Sequence, residues 1–187
     1  MPISRPDAIP IVGALVWGKN PKTILDVGVG FGLWGALFRA WTDIRLAELE
    51  PHRYNRECWQ TIIDGIEIFP DYNSQLWHCY NSVFIGDALD LLGAMGKTQY
   101  EHIHLGDIIE HYEKEKGAAL LCQAVKHIAP GGCVTVVTPN GYRQQGACLG
   151  NKFEQHRCGW LKSDLVKAGA THVWETANNM LVAAFQS

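Results

Sequence analysis

Two groups of residues in this chain have the types and spacing to do chemistry. The first is Asp26-Val27-Gly28-Val29-Gly30-Phe31-Gly32. It follows the apolar pair Ile24-Leu25 and precedes an apolar helical pattern from Leu33, so it reads as a buried strand that breaks into a glycine turn with a helix behind it. Glycines at alternate positions let a ligand approach the backbone closely, because no Cβ stands in the way. The helix behind offers unpaired N–H groups at its first turn. A nucleotide-like cofactor is the expected occupant. The second group is Asp107-Ile108-Ile109-Glu110-His111. Its acids and imidazole stand at i, i+3 and i+4 and share one face if the segment is helical. Such a set can move protons or hold a divalent ion.

Gly30-Phe31-Gly32-Leu33-Trp34-Gly35 is also a literal G-x-G-x-x-G, in which a pyrophosphate sits on a helix N-terminus. An NAD-dependent oxidoreductase is therefore one reading. Its register is awkward, because the turn already begins at Gly28 and Asp26 would repel a pyrophosphate. A cofactor carrying an ammonium group would gain from that carboxylate. The run Asp26–Gly32 resembles the D/E-x-G-x-G-x-G signature of class I S-adenosylmethionine (SAM) methyltransferases. The resemblance implies that Gly28, Val29, Gly30 and Gly32 wrap the amino-acid part of SAM while Asp26 helps orient it.

Composition bounds the rest. At 187 residues the chain fits one domain with a sizeable core. Its net charge of −3 gives no basic excess of the kind that marks a nucleic-acid partner. Six cysteines lie scattered without C-x-x-C or zinc-finger spacing and read as buried or inert thiols of a reducing compartment. Met1–Asp7 lacks the pattern of a secretory leader, and no apolar run approaches the ~20 residues that span a bilayer. A cytoplasmic protein with no membrane association is expected.

The elements that must position the two groups follow from pattern and punctuation. Helices are predicted at Ala8–Trp17, Leu33–Trp41, Asp71–Tyr80, Ala88–Ala94, Glu113–Ile128 and Lys162–Ala168. Strands are predicted at Thr23–Val27, Ile63–Phe69, Ser82–Ile85, Glu101–Leu105, Cys133–Thr138, Thr171–Glu175 and Met180–Phe185. Pro130-Gly131-Gly132 reads as the turn into the fifth strand. Alternating strands and helices imply a mostly parallel sheet covered on both faces. The link Thr176–Asn179 is too short for a crossover helix, so the last two strands must be antiparallel. The expected fold is an α/β, Rossmann-like three-layer sandwich with a seven-stranded, mostly parallel sheet and an antiparallel seventh strand, as in class I methyltransferases. One SAM-binding domain covers 1–187, with an insertion at 42–62 ahead of the second strand. That insertion reads either as a solvated helix packed by Trp59 or as a lid or partner surface. Trp34, Trp41, Trp77 and Trp174 read as core.

In such sheets ligands bind beyond the carboxyl ends of the strands. The resemblance places Glu67, with Ile68, after the second strand as the acid that takes both ribose hydroxyls; Glu48 and Glu50 are its rivals. Asp87, with Ala88, corresponds to the acid that accepts from the adenine amino group, and it also reads as a helix N-cap. Gly106 and Asp107 follow the fourth strand, where the family places the methionine amine and the sulfonium. Thr138-Pro139-Asn140-Gly141 resembles the T-P-N turn of a large methyltransferase subgroup, which faces the acceptor, and Tyr142–Trp160 is expected to border the acceptor too. Asp107-x-x-Glu110-His111 resembles the E-x-x-E-H of small-RNA 2′-O-methyltransferases and a related pattern in ubiquinone-biosynthesis O-methyltransferases. There a downstream His completes a metal site, for which His156 is the candidate. Two oxygens and two imidazoles suit Mn²⁺, Co²⁺ or Zn²⁺ better than Mg²⁺.

These residues lead to a SAM-dependent methyltransferase with a small-molecule acceptor, O-methylation favoured, and His111 and His156 as base candidates. A metal-dependent O-methyltransferase acting on a catechol or ribose diol, the NAD-dependent oxidoreductase and a SAM-binding module without catalysis stay open.

Overall fold

The computed structural model describes residues 5–186, so the first four residues of the Met1–Asp7 reading lie outside them. The strands are β1 (Thr23–Val27), β2 (Ile62–Glu67), β3 (Ser82–Ile85), β4 (Tyr100–Gly106), β5 (Ile128–Pro139), β6 (His172–Glu175) and β7 (Met180–Gln186). They form one sheet in the order β3-β2-β1-β4-β5-β7-β6. The first five run parallel, and β7 is antiparallel to both β5 and β6. The expected α/β sandwich with its antiparallel seventh strand is the fold observed.

Successive strand residues point to opposite faces, and helices cover both. On one face α1 (Ile9–Lys19) and α2 (Leu33–Thr42) pack Val12, Val16, Trp34 and Phe38 against Ile24, Ile63 and Val182. On the other face α3 (Ala88–Ala94), α4 (Lys114–Lys126) and α5 (Lys162–Lys167) pack Leu92, Leu120 and Leu165 against Leu25, Ile103 and Val134. Local chemistry sets the boundaries. Asn20, left-handed at φ 48°, closes α1 just before Pro21. Asp87 Oδ1 accepts the Leu89 N–H at 2.9 Å and starts α3.

Three expectations are corrected. The segment predicted as helix at Asp71–Tyr80 is two 3-10 turns, Pro70–Tyr72 and Gln75–Cys79. Ser74 Oγ accepts the Leu76 N–H and donates to Phe31 O at 2.7 Å, so it ties the segment to the glycine turn instead of continuing a helix. Pro130-Gly131-Gly132 does not precede β5 but lies inside it. The pairing with β4 slips there, from Tyr100↔Ile128 to His102↔Cys133, so the extra residues bulge out of the ladder.

The third correction concerns 42–62, which is not the solvated helix that is one of its two readings. It folds into 3-10 turns at Ile44–Glu48, Pro51–Tyr54 and Arg56–Cys58. It joins the end of α2 to the first residue of β2, which puts it at the amino edge of the sheet, away from the carboxyl ends. Buried Asp43 clips it shut. One carboxylate oxygen takes Arg53 Nη1 and the Gln60 N–H, both at 2.8 Å; the other takes Arg39 Nη1 and the Thr61 N–H. Trp59 lies under the Arg39 guanidinium, 4.3 Å from it.

The tryptophans largely pack in the core as expected: Trp34 is buried, and Trp41, Trp77 and Trp174 lie against the α1/α2 layer. All six cysteines are free, but only Cys133 is buried and Cys122 is exposed. Among the described residues, no helix is long and apolar enough to cross a membrane.

Candidate active site

A cavity of about 370 Å³ opens at the carboxyl ends of β1, β2 and β4, where the strand order reverses between β1 and β4. Its floor is the glycine turn. Gly28 and Gly30 have φ of 87° and 53°, and a Cβ on Gly28 would meet Ile108 Cδ1 at 3.1 Å. The turn is pinned from below, since the N–H groups of Gly28 and Val29 donate to Ile66 O at 2.9 and 3.2 Å. Trp77 Nε1 donates to Gly30 O at 2.8 Å.

Of the residues expected to bind a cofactor, Gly28, Val29, Gly30, Glu67, Ile68, Asp87, Ala88, Gly106 and Asp107 all stand on the cavity wall. Asp26 and Gly32 do not. Asp26 is fully buried one layer below the turn, where the Tyr80 hydroxyl donates to Oδ2. Burial raises its carboxyl to about 7 against the Tyr80 hydrogen bond, and the Glu67 charge adds to the rise. Gly32 caps α2 and faces Leu76 and Trp77. Gly35 also looks inward, because a Cβ there would run into the Tyr80 ring. The rivals of Glu67 lie elsewhere: Glu48 is in a 3-10 turn of the insertion, and Glu50 pairs with Arg53 at 2.7 Å.

Glu67 ends β2 with its carboxylate on the turn. Oε2 accepts the Gly30 N–H at 2.7 Å and Oε1 the Phe69 N–H at 2.9 Å. Burial pushes this carboxyl up, and the backbone donors pull it back. Asp87 keeps its cap and also receives the Tyr112 hydroxyl at 3.2 Å. Six acids (Glu67, Asp87, Asp90, Asp107, Glu113, Glu154), two cationic side chains (Lys116, Arg157) and His111 line the cavity. Such a field favours a cationic ligand over a pyrophosphate.

Next to this space the second group is rearranged. Ile109–His111 is a single 3-10 turn, so Asp107, Glu110 and His111 do not share a helical face. Asp107, left-handed at φ 50°, donates its N–H to Val137 O and stays on the cavity wall. Glu110, His111 and His156 do converge, with one ligand atom of each within 4.8 Å of the others. Of the four residues expected to hold a metal, the structure brings these three together, and Asp107 stands outside the group.

Their chemistry fits a divalent ion. Glu110 is buried; Oε2 receives the Thr138 hydroxyl at 2.9 Å, and Oε1 has no hydrogen-bond partner. Burial pushes its carboxyl well above the usual range, and the Asp107 charge adds to this. Burial first, then the neighbouring His156, lower His111 to about 4. Burial likewise lowers His156, whose Nδ1 lies 2.7 Å from Arg143 O. Neutral imidazoles and a carboxyl short of positive charge are what a cation would relieve.

The wall also carries residues outside the expected set: Trp34, Ile108, Tyr112, Asn151, Phe153, Glu154 and Arg157. Trp34 is both core and wall. The last four come from 142–160, whose position after β5 marked it as acceptor-facing; the Glu154-x-His156 spacing was the available signal.

No protein-family model matches the sequence, and no curated protein is similar to it in sequence. Solved structures are similar in fold. An O-methyltransferase family protein from Burkholderia thailandensis superposes with a TM-score of 0.61 at 15% identity, over 95% of this chain and 54% of that one. The 1,6-didemethyltoxoflavin-N1-methyltransferase of the same organism, with bound substrate and S-adenosylhomocysteine (SAH), gives 0.64 at 14% identity over 96% and 78%. A SAM-dependent methyltransferase from Archaeoglobus fulgidus gives 0.58 at 14% identity over 95% and 94%. The chain spans about half the length of the first of these. Glycine turn, strand order and cavity thus meet in one architecture, and the fold of this chain is that of the SAM-dependent methyltransferases.

Proposed function

We propose that this chain is a SAM-dependent methyltransferase with a small-molecule acceptor. The observation that carries the reading is Glu67. Its Oε2 takes the Gly30 N–H, so a carboxylate already holds the amide that a pyrophosphate would need. That favours SAM over NAD, and Gly35, turned into the core against Tyr80, leaves the dinucleotide pattern without its third glycine at the ligand. One carboxylate can accept from both hydroxyls of a vicinal diol, and Glu67 suits the ribose. Asp87 at the head of α3 suits the adenine amino group, and Asp107 the ammonium. When bound, SAM supplies an activated methyl on a cationic sulfur. The chain's own part is to align acceptor and methyl in line and to accept the acceptor's proton.

Oxygen is the favoured acceptor atom, because His111 on the cavity wall converges with the buried Glu110 and His156 into a set that fits a divalent ion. Mn²⁺, Co²⁺ or Zn²⁺ suits one carboxylate and two neutral imidazoles. Such an ion would supply the charge that eases loss of a hydroxyl proton, and a catechol or ribose diol fits this second reading. Without an ion, His111 and His156 are neutral at pH 7 and can serve as bases. A SAM-binding module without catalysis is told apart by turnover: SAM binding with no methyl transfer to a broad panel of acceptors would favour it.

Calorimetry with SAH and with NAD decides the first step. SAH is expected to bind and NAD to give no heat. Glu67→Ala should weaken SAH by about 1.5–3 kcal/mol, the worth of charge-assisted bonds. NAD binding, or unchanged SAH affinity in that variant, defeats the reading.

A further inference from the structure

We propose that Tyr72 is a positioning residue that couples the acceptor side of the cavity to the bound cofactor. This rests on reading the cavity as the SAM site. Tyr72 is buried in the 3-10 turn Pro70–Tyr72, just after β2. Its two ends meet different parts of the site. The ring packs against Phe31 of the glycine turn, 5.1 Å between centroids, and against Phe69, 4.9 Å. The hydroxyl belongs to the other side. It donates to Glu154 Oε1 at 3.0 Å and accepts from Asn151 Nδ2 at 3.1 Å, both in the segment 142–160.

Each end is tied in turn to the cavity wall. On the cofactor side, one Glu67 oxygen accepts the Gly30 N–H at 2.7 Å and the other the Phe69 N–H at 2.9 Å. A ribose held by Glu67 therefore restrains both flanks of the Tyr72 ring, Phe69 directly and Phe31 through its neighbour Gly30. Ser74 Oγ, two residues after Tyr72, donates to Phe31 O at 2.7 Å and binds the same turn. On the acceptor side, Asn151, Phe153 and Glu154 all line the cavity. The Phe153 N–H donates to Asn151 Oδ1 at 2.9 Å, so the three move with the Tyr72 hydroxyl. Farther along the segment, the Arg157 N–H donates to Glu110 O at 2.8 Å, which anchors that end to the β4 side instead. The acceptor wall is thus suspended between β4 and Tyr72. A ligand that orders one of two groups joined in this way lowers the cost of ordering the other.

Tyr72→Phe keeps the ring between Phe31 and Phe69 and removes only the hydroxyl. Amide hydrogen exchange of the purified protein is measured without SAH and at saturating SAH, with slowing in 28–32 as the check on occupancy. In wild type, SAH is expected to slow exchange in 142–157 by about 5–150-fold, the usual size of coupling between two sites. In Tyr72→Phe that slowing should largely vanish, while 28–32 slows as in wild type. A hydroxyl that only braced the loop would speed exchange in 142–157 with and without SAH alike, and the ratio of the two rates would keep its wild-type value. An unchanged ratio in Tyr72→Phe, or no slowing of 142–157 in wild type with SAH bound, overturns the inference and leaves the SAM reading standing. Wild-type protein that binds no SAH overturns that reading and the inference with it. Should Tyr72→Phe not fold, Glu154→Ala removes the acceptor of the same hydrogen bond, and its ratio decides in the same way.

Discussion

Asp26 and Glu67 are both acids at the glycine turn, and burial treats them differently. Glu67 reaches the cavity and two backbone donors, whereas Asp26 meets only the Tyr80 hydroxyl and leaves Oδ1 without a partner. Its carboxyl at about 7 lies above the ~3.9 of an unfolded chain. The native state therefore holds this proton more tightly than the unfolded state does. Stability from Asp26 is full below pH ~4 and is lost as pH rises through about 7, by about 4 kcal/mol across that window. An amide does not titrate, so the melting temperature of Asp26→Asn relative to wild type should be more favourable at pH 8 than at pH 5. An equal difference at the two pH values would show that Asp26 stays ionised throughout. Tyr80 explains why the residue beside the turn can be an acid at all: it supplies the single hydrogen bond in reach, and Gly35 leaves room for its ring.

At the scale of elements, the insertion 42–62 is held by charge more than by apolar packing. Asp43 draws in Arg39, Arg53 and two backbone N–H groups; although burial pushes its carboxyl up, these donors hold it below the usual range. Removing the carboxylate leaves two buried guanidinium groups without it. Asp43→Ala should cost about 3–5 kcal/mol in chemical denaturation. SAH affinity should stay close to wild type, because the clip lies at the other edge of the sheet from the cavity. A loss below 1 kcal/mol would mean that the insertion stands without its clip. The 3-10 turns before β3 belong to the same scale: there the Ser74 bond to Phe31 O ties the segment to the glycine turn where the sequence pattern suggested a helix.

For the whole molecule, the segment expected to close over the cavity is 142–160, and the strand ends facing it are expected to stay fixed. The carboxyl ends of β1, β2 and β4 form the fixed side, and the clipped insertion lies at the other edge of the sheet. The segment 142–160 supplies Asn151, Phe153, Glu154 and Arg157 to the wall, with Tyr142 and Leu149 exposed beside it. Hydrogen exchange with and without SAH should thus show added protection in 142–157 and none in 42–62, since closing segments come from the less stable parts of a fold. Added protection confined to 42–62 would reverse that assignment of sides.

Strands β1 and β3, the helix α3 and the glycine turn were legible because their signals are local: apolar runs, a capping Asp87 and glycines that need positive φ. The order of those elements fixed the sheet, since a four-residue link between the last strands allows only an antiparallel pair. Glu67 and Asp87 were legible for the same reason, as residues at strand ends. What tertiary structure decided depends on residues far apart in the chain. His156 beside Glu110 and His111 is implied by the resemblance, whereas Tyr80 reaching Asp26 and the Asn151–Tyr72–Glu154 chain of hydrogen bonds each need two segments that only the folded sheet brings together. It also separated Asp107 from Glu110, although they are three residues apart, because a left-handed residue and a 3-10 turn replaced the helix that their spacing implied. Periodicity records which way side chains point along a regular element; where the backbone leaves that element, the partners a side chain meets are set by packing alone.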